Sequence, residues 1–271
     1  MSDTRLSVVG TGIRPGGHLT TETRHLLARA DRVLAVVDGL TLEYLNRINP
    51  ATESLQDCYR QTSSREASYA EMVQRILAAV DQGGHVCAAF YGHPGVFVWP
   101  AHEVIRQAHA KGLAAKMYPG ISAEDCLFAD LGIDPAQCGC QSYEAMDFYL
   151  YPRRIEPTAA LVLWQLAALG DVRRVGFQAD PAWVSALAEV LMDSYPADHV
   201  ATVYEAATFP LDEPRREPVA LAHLDKVQFS QVSTLYVPPL AAPVLSEHRL
   251  ARLGLGHSAL EPAAYRRRRE R

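Results

Sequence analysis

Three short glycine-rich segments could bring backbone close to a ligand. They are Gly10-Thr11-Gly12-Ile13-Arg14-Pro15-Gly16-Gly17, Tyr91-Gly92-His93-Pro94-Gly95-Val96-Phe97 and Pro119-Gly120-Ile121-Ser122-Ala123-Glu124-Asp125. Each follows a run of strand character, LSVVG (6–10), HVCAAFYG (85–92) and LAAKMYP (113–119). Glycine permits approaches that a Cβ forbids, and α/β sheets hold ligands at the carboxyl edge of their strands. If the three strands share a sheet, the loops converge, and the chemistry on offer is capture of a small molecule. Taken singly, each loop reads equally well as a tight turn. The first is not G-x-G-x-x-G, because its third glycine falls one residue late. No acid closes the second strand at the ribose position of a dinucleotide fold, which disfavours a dinucleotide-dependent oxidoreductase.

Other chemistries find less support. The five cysteines, Cys58, Cys87, Cys126, Cys138 and Cys140, include no C-x-x-C pair, and the ten histidines form no H-E-x-x-H array. No metal is expected. The formal net charge of −5 argues against a nucleic-acid partner, which demands a basic face. No apolar run approaches the ~20 residues that cross a bilayer, so no membrane partner is expected. The first residues enter a strand without a targeting segment, and the expected compartment is the cytoplasm.

The elements that must position these loops alternate between strand and helix, the mark of an α/β fold with a largely parallel sheet. Thr20 or Thr21 with Glu22 predicts a helix start. RVLAVV (32–37) is a second strand, and TLEYLNRI is a short helix stopped at Asn49-Pro50. The clearest helix follows. Ser63 and Glu66 have capping-box spacing, and Tyr69, Met72, Val73, Ile76, Leu77 and Val80 form one stripe. HVCAAFYG is then the third strand, a helix follows near 99–111, and LAAKMYP is the fourth. A helix over SAEDCLFADLG ends at Ile133-Asp134-Pro135. The second half offers strands at QSYEA, ALVLWQL, HVATVYEAA and STLYVPP, with a helix at PAWVSALAEVLMDSY. The expected division is 1–120 as a first lobe, 121–240 as a second, and 241–271 as a tail ending in a solvated YRRRRER.

The residues themselves carry a resemblance. GTGI near the start, FYGHPGVF and PGISAEDCLFADLGIDP resemble the tetrapyrrole-methylase superfamily. Within it they are similar to the borosin branch, the peptide backbone α-N-methyltransferases. GCQSYEAMDF (139–148) and LVLWQL (161–166) extend the likeness into the second half, so that it covers residues 6–240. It implies a two-lobed α/β fold, with a mostly parallel sheet in the first lobe and a mixed sheet in the second. S-adenosylmethionine (SAM) would lie in the cleft between them, S-adenosylhomocysteine would be the product, and the chain would form an entwined homodimer. Family contacts to the cofactor map onto Tyr91, His93, Val96 and Phe97, onto Ser122 and Ala123, and in the second half onto Gln165, Ala207, Ser233 and Thr234. His93 also reads as a loop histidine bonded to backbone.

The resemblance also implies a catalytic set of Tyr59, Arg65 and Tyr69, completed by Tyr91. An amide nitrogen shares its lone pair with the carbonyl and is a poor nucleophile until its proton leaves and an imidate forms. The site therefore needs a base and a holder for charge on the carbonyl oxygen. A tyrosine at its usual pKa of ~10 is a weak base at neutral pH. A guanidinium beside it is expected to move that pKa down. Arg65 and Tyr69 lie one helical turn apart on one face; Tyr69 or Tyr59 would take the proton, and Tyr91 would donate to the imidate oxygen or orient the cofactor. By spacing alone, Tyr69 reads as a core residue with a wet hydroxyl, and Arg65 as a solvated first-turn residue.

Borosin enzymes of the familiar kind carry their own peptide, a clasp region followed by a core rich in Val, Ile and Gly. Here the LARLGLG stretch after TLYVPP is broken by Arg252. The expected substrate is therefore a separate ribosomally made precursor peptide bound in trans, in a 2:2 complex with the dimer, and SEHRLARLG is a remnant clasp helix. A tetrapyrrole C-methyltransferase, or a SAM-binding scaffold without turnover, would share the cofactor loops and have no need of the Tyr/Arg/Tyr set.

Overall fold

The computed structural model describes residues 5–61, 64–171, 178–209 and 211–256. The chain forms two compact units, the first made mainly of residues up to Asp130 together with 205–215, the second of the remainder of the described chain.

In the first unit the elements run β1 (Leu6–Gly10), α1 (Thr21–Arg29), β2 (Arg32–Val36), α2 (Gly39–Ile48), β3 (Thr52–Ser54), α3 (Cys58–Gln61), α4 (Arg65–Asp81), β4 (Val86–Phe90), α5 (Trp99–Ala110), β5 (Ala115–Tyr118) and α6 (Ala123–Leu131). The sheet order is β3-β2-β4-β1-β5, and every pairing is parallel. Its central strands are buried on both faces. Leu6, Val8, Val86, Ala88 and Phe90 pack with the α4 stripe and α5, while Val9, Cys87 and Ala89 pack with Leu27 and Leu45 of α1 and α2. Burial on both sides is why these strands read as continuous apolar runs.

The second unit runs β6 (Cys140–Glu144), α7 (Ala145–Leu150), β7 (Ala160–Trp164), α8 (Pro181–Met192), β8 (Val200–Glu205), β9 (Arg215–Ala220), β10 (Thr234–Val237) and α9 (Glu247–Arg252). Its sheet, β6-β7-β10-β8-β9, is mixed: β6 pairs parallel with β7, and β10 is antiparallel to both β7 and β8. This is the α/β class expected, with one parallel and one mixed sheet.

Two strands depart from the sequence reading, and both lie at sheet edges. β3 is the three residues Thr52-Glu53-Ser54, which makes the 85–92 run the fourth strand rather than the third. β9 is Arg215-Arg216-Glu217-Pro218-Val219-Ala220. An edge strand has one free flank and needs no apolar run, and Arg215 is held by an ion pair to Glu205 at 2.7 Å. The cap of α4 also differs. Ser63 lies outside the described residues, and the observed cap is Ser64, whose Oγ accepts the Ala67 N–H at 3.2 Å. The YRRRRER tail lies outside the described residues. Among those described, no helix is long and apolar enough to cross a membrane.

Candidate active site

The parallel topology puts the carboxyl ends of β4, β1 and β5 side by side, so the three glycine loops meet. Gly12 and Gly92 exchange backbone hydrogen bonds of 3.2 and 3.0 Å. A Cβ on Gly10 would lie 2.3 Å from the Gly92 carbonyl oxygen and 3.0 Å from Gly120 Cα. No side chain fits there or at Gly120, whose Cβ would lie 2.6 Å from the same oxygen, while Gly92 is required by its φ of +71°. His18, which the sequence reading passed over, organises the first loop: its Nδ1 accepts the N–H groups of Ile13 and Arg14, each at 3.3 Å. Burial, then Arg14, lowers its pKa, so the neutral ring that can accept is the favoured form. Its only sequence signal was a histidine inside a glycine loop.

Beside this edge lies a pocket of about 140 Å³, lined by Val36, Tyr59, Tyr69, Met72, Phe90, Tyr91, Phe97, Val98 and Pro100. Tyr59 and Tyr69 meet edge to face, with centroids 6.3 Å apart and planes at 71°. The Arg65 guanidinium carbon is 4.4 Å from the Tyr59 ring centroid and 5.8 Å from that of Tyr69. Tyr59, Arg65 and Tyr69 thus form one cluster, and Tyr91 joins it across the pocket. Tyr69 also stacks on Trp99, centroids 6.3 Å apart at 19°. Trp99 was missed because, as the first residue of α5, it belongs to no motif.

The expected downward shift of a phenol pKa is corrected at Tyr59. Burial pushes it up to about 12, and Tyr69 adds to the rise, while Arg65 opposes it without prevailing. Tyr91 is likewise pushed up to about 12 by burial, with Asp38 next in effect. Removing a phenolate from water outweighs one cation lying against the face of a ring.

The residues nominated for cofactor binding fall into two groups. Tyr91, His93, Val96 and Phe97 share the loop after β4, where His93 Nδ1 accepts the Gly95 N–H at 2.9 Å. Ser122 caps α6, which begins at Ala123. Its hydroxyl donates to Asp125 at 2.7 Å and accepts the Asp125 N–H at 3.2 Å. In the second unit, β10 is antiparallel to β7 and β8, so Gln165 (after β7) and Ser233-Thr234 (at the start of β10) lie at one end of that sheet. Ser233 and Thr234 are buried, and Ser233 Oγ accepts the Ser230 N–H at 2.7 Å. Ala207, also buried, follows β8 in the 205–215 stretch that groups with the first unit. Among the described residues, the non-glycine positions with positive φ are Phe97 (54°) and Gln165 (60°), both of them nominated. Backbone held in this region costs on the order of 1–3 kcal/mol, and such strain gathers at ligand sites. The described residues contain no group of three or more His, Cys, Asp or Glu placed to hold a metal.

Residues 5–221 match the family Tetrapyrrole (Corrin/Porphyrin) Methylases. The chain is 38% identical over 247 residues to a methyltransferase/ribosomally synthesized type I borosin cyclic peptide precursor of Coprinopsis marcescibilis, covering 88% of this chain and 62% of that one. It is 36% identical over 257 residues to the methyltransferase/ribosomally synthesized cyclic peptide omphalotin A precursor of Omphalotus olearius, covering 92% and 61%. The chain spans about three fifths of the length of these two relatives. Among solved structures, uroporphyrin-III C-methyltransferase of Thermus thermophilus matches with a TM-score of 0.60 at 18% identity, covering 88% of this chain and 93% of that one. The cobalamin biosynthetic enzyme cobalt precorrin-4 methyltransferase matches with 0.64 at 15% identity, covering 86% and 94%. At such identities the likeness establishes the fold.

Proposed function

Because the chain belongs to the tetrapyrrole (corrin/porphyrin) methylase family, we propose that it is a SAM-dependent methyltransferase whose acceptor is a backbone amide nitrogen of a peptide. The observation that carries the reading is the cluster of Tyr59, Arg65 and Tyr69 on the pocket that Tyr91 completes. The two borosin relatives, whose names join a methyltransferase to a peptide precursor, support the peptide as acceptor.

Loops with no room for a Cβ at Gly10 and Gly120, and two strained residues, Phe97 in the loop after β4 and Gln165 directly after β7, suit the close approach of a bulky cofactor. SAM would be held by Tyr91, His93, Val96, Phe97, Ser122, Ala123, Gln165, Ala207, Ser233 and Thr234, and would supply an electrophilic methyl group. His93 would act through its other nitrogen, since Nδ1 is engaged by Gly95, and Ser122 through its carbonyl oxygen, since its hydroxyl and its N–H both donate to Asp125.

The protein's own work is on the amide. A phenol whose ionisation burial opposes is better suited to donating a hydrogen bond than to taking a proton. Tyr59 and Tyr91 are therefore assigned to the imidate oxygen as charge develops on it. Tyr69, flanked by Arg65 and Trp99, is assigned the amide proton. Arg65 offsets negative charge in the cluster, whichever oxygen bears it.

The peptide is proposed to be a separate chain, bound by a homodimer in a 2:2 complex, with α9 as the remnant of a clasp. The test is mass spectrometry of a synthetic Val/Ile/Gly-rich peptide after incubation with the protein and SAM. Gains in steps of one methyl on backbone nitrogens of the added peptide are expected; gains on the protein's own chain would move the acceptor into cis. Tyr69→Phe and Arg65→Ala should each lower the rate about 100-fold or more while SAM binding by calorimetry persists. Wild-type rates in both variants would refute the catalytic assignment. Methylation of a uroporphyrinogen-type substrate insensitive to Tyr69→Phe would replace the peptide reading with a tetrapyrrole one.

A further inference from the structure

Tyr59 stands on a weak foundation. α3 has four residues, and a helix that short has no stability of its own in water. Something else must fix where the Tyr59 ring lies. Leu55 and Cys58 are fully buried at its base, and Gln56 Nε2 donates to the Val37 carbonyl at 2.9 Å. The directional part comes from α4. Arg75 Nη1 donates to both carboxylate oxygens of Asp57, at 2.9 and 2.8 Å, and reaches Cys58 Sγ at 3.6 Å. Its Nη2 pairs with Glu53 on β3, and Glu53 also lies 3.5 Å from Arg32 on β2. Two cations and two anions balance. Asp57 is two residues before Tyr59, and Arg75 is six after Tyr69 on the same helix. One helix thus carries Arg65 and Tyr69 and also grips the root of the segment that carries Tyr59.

We infer that the Arg75–Asp57 pair positions Tyr59 against Arg65 and Tyr69, making Arg75 and Asp57 positioning residues for the reaction although neither lines the pocket. The part that concerns the reaction rests on the function proposed above. The Arg75 and Asp57 side chains are 25% and 32% exposed, only partly shielded from water, and whatever their network adds to folding, the pair also sets a direction. A guanidinium facing a carboxylate does fix direction, and small displacements of reacting groups cost large factors in rate.

The experiment uses the full chain with Asp57→Asn and Arg75→Gln, singly and together, each with and without Tyr59→Phe. In a parallel set 3-fluorotyrosine replaces Tyr59 and is read by fluorine NMR. Each clamp variant should shift or broaden the resonance at position 59. With the Val/Ile/Gly-rich peptide, kcat should fall about tenfold, with KM for SAM unchanged. The double variant should be no slower than either single one, because the pair acts as a unit. In the Tyr59→Phe background the loss should shrink to about threefold or less, and Asp57→Glu should restore part of the rate. An unmoved fluorine resonance would overturn the inference, as would an equal rate loss in both backgrounds or a loss expressed as weaker SAM binding. If Tyr59→Phe alone keeps the wild-type rate, or no peptide is methylated, the functional reading fails. The fluorine signal then decides the positional inference by itself.

Discussion

The two sheets solve the problem of gathering a site in different ways. In the first unit every strand pairing is parallel. All carboxyl ends therefore face one edge, and three loops that follow three strands must converge there. Gly10 and Gly120 leave no room for a Cβ beside the Gly92 carbonyl, so the candidate site is written in motifs. In the second unit β10 runs against β7 and β8. One end of that sheet is then reached by leaving β7, by leaving β8 or by entering β10. Gln165 and Ser233-Thr234 meet there from unlike positions, without a shared pattern. A parallel sheet makes a candidate site legible as repeats of strand then glycine loop; a mixed sheet disperses the residues nominated on it.

The contrast can be broken first at its glycines. A Cβ on Gly10 would strike backbone, 2.3 Å from the Gly92 carbonyl oxygen. At Gly139 the added atom would meet only Ala159 Cβ, at 3.7 Å, although φ there is +81°. Gly10→Ala should therefore cost about 3 kcal/mol or more, against about 1 kcal/mol for Gly139→Ala. Urea unfolding of the two variants checks this, and equal costs would mean that the loops of the first unit are not packed to backbone contact.

A smaller effect should appear in alkali, and in both units alike. Burial pushes Tyr59 and Tyr91 in the first unit, and Tyr195 and Tyr236 in the second, up to about 12. Unfolded tyrosines release their protons near ~10. Above that pH the unfolded state binds fewer protons than the folded one, so stability falls as pH rises. The contribution is whole below pH ~10 and gone above about 12. Tyr59→Phe and Tyr195→Phe should each flatten the decline by about 2 kcal/mol, seen in unfolding curves across that range. If only Tyr59→Phe does so, the two units differ in burial more than their cores suggest. At neutral pH the replacements should diverge: the Tyr195 hydroxyl is buried with no hydrogen-bond partner among the described residues, so its loss should cost nothing.

The smallest expected effect compares the two strained residues, one in each unit. Phe97→Gly and Gln165→Gly release a left-handed backbone while removing a side chain. Each should change folding stability by under about 1 kcal/mol, while SAM binding by calorimetry weakens several-fold. Unchanged binding in one variant alone would remove that position from the cofactor site and show which sheet carries the contacts.

How far these features could be read from the residues depends on the range of the forces involved. The α4 stripe, the capping hydroxyl of Thr20 at α1, and the apolar runs of β1, β4 and β7 are local signals. They were legible because a buried face leaves a period in the sequence. β3 and β9 escaped because edge strands carry no such period. Ser64 rather than Ser63 caps α4 because adjacent serines cannot be told apart until the first turn chooses its register. In the site, the loops and the tyrosines were visible as motifs and through family resemblance. Trp99 and the Arg75–Asp57 pair were not, since each acts on a partner that the chain alone does not bring near; His18 acts within its own loop, on Ile13 and Arg14, but belongs to no motif that marks it.

By itself, the sequence settled the alternation of strands and helices and the places where backbone must pass without a side chain, and it nominated the phenols and the guanidinium proposed for the reaction. These follow from patterns within a few residues of one another. Only the tertiary structure decided that Tyr59 is too deeply buried for Arg65 to lower its pKa, that Trp99 backs Tyr69, and that an arginine two helical turns away grips the short helix beneath Tyr59. Burial and ion pairing are properties of neighbours in space, and those neighbours are set by the packing of the whole unit.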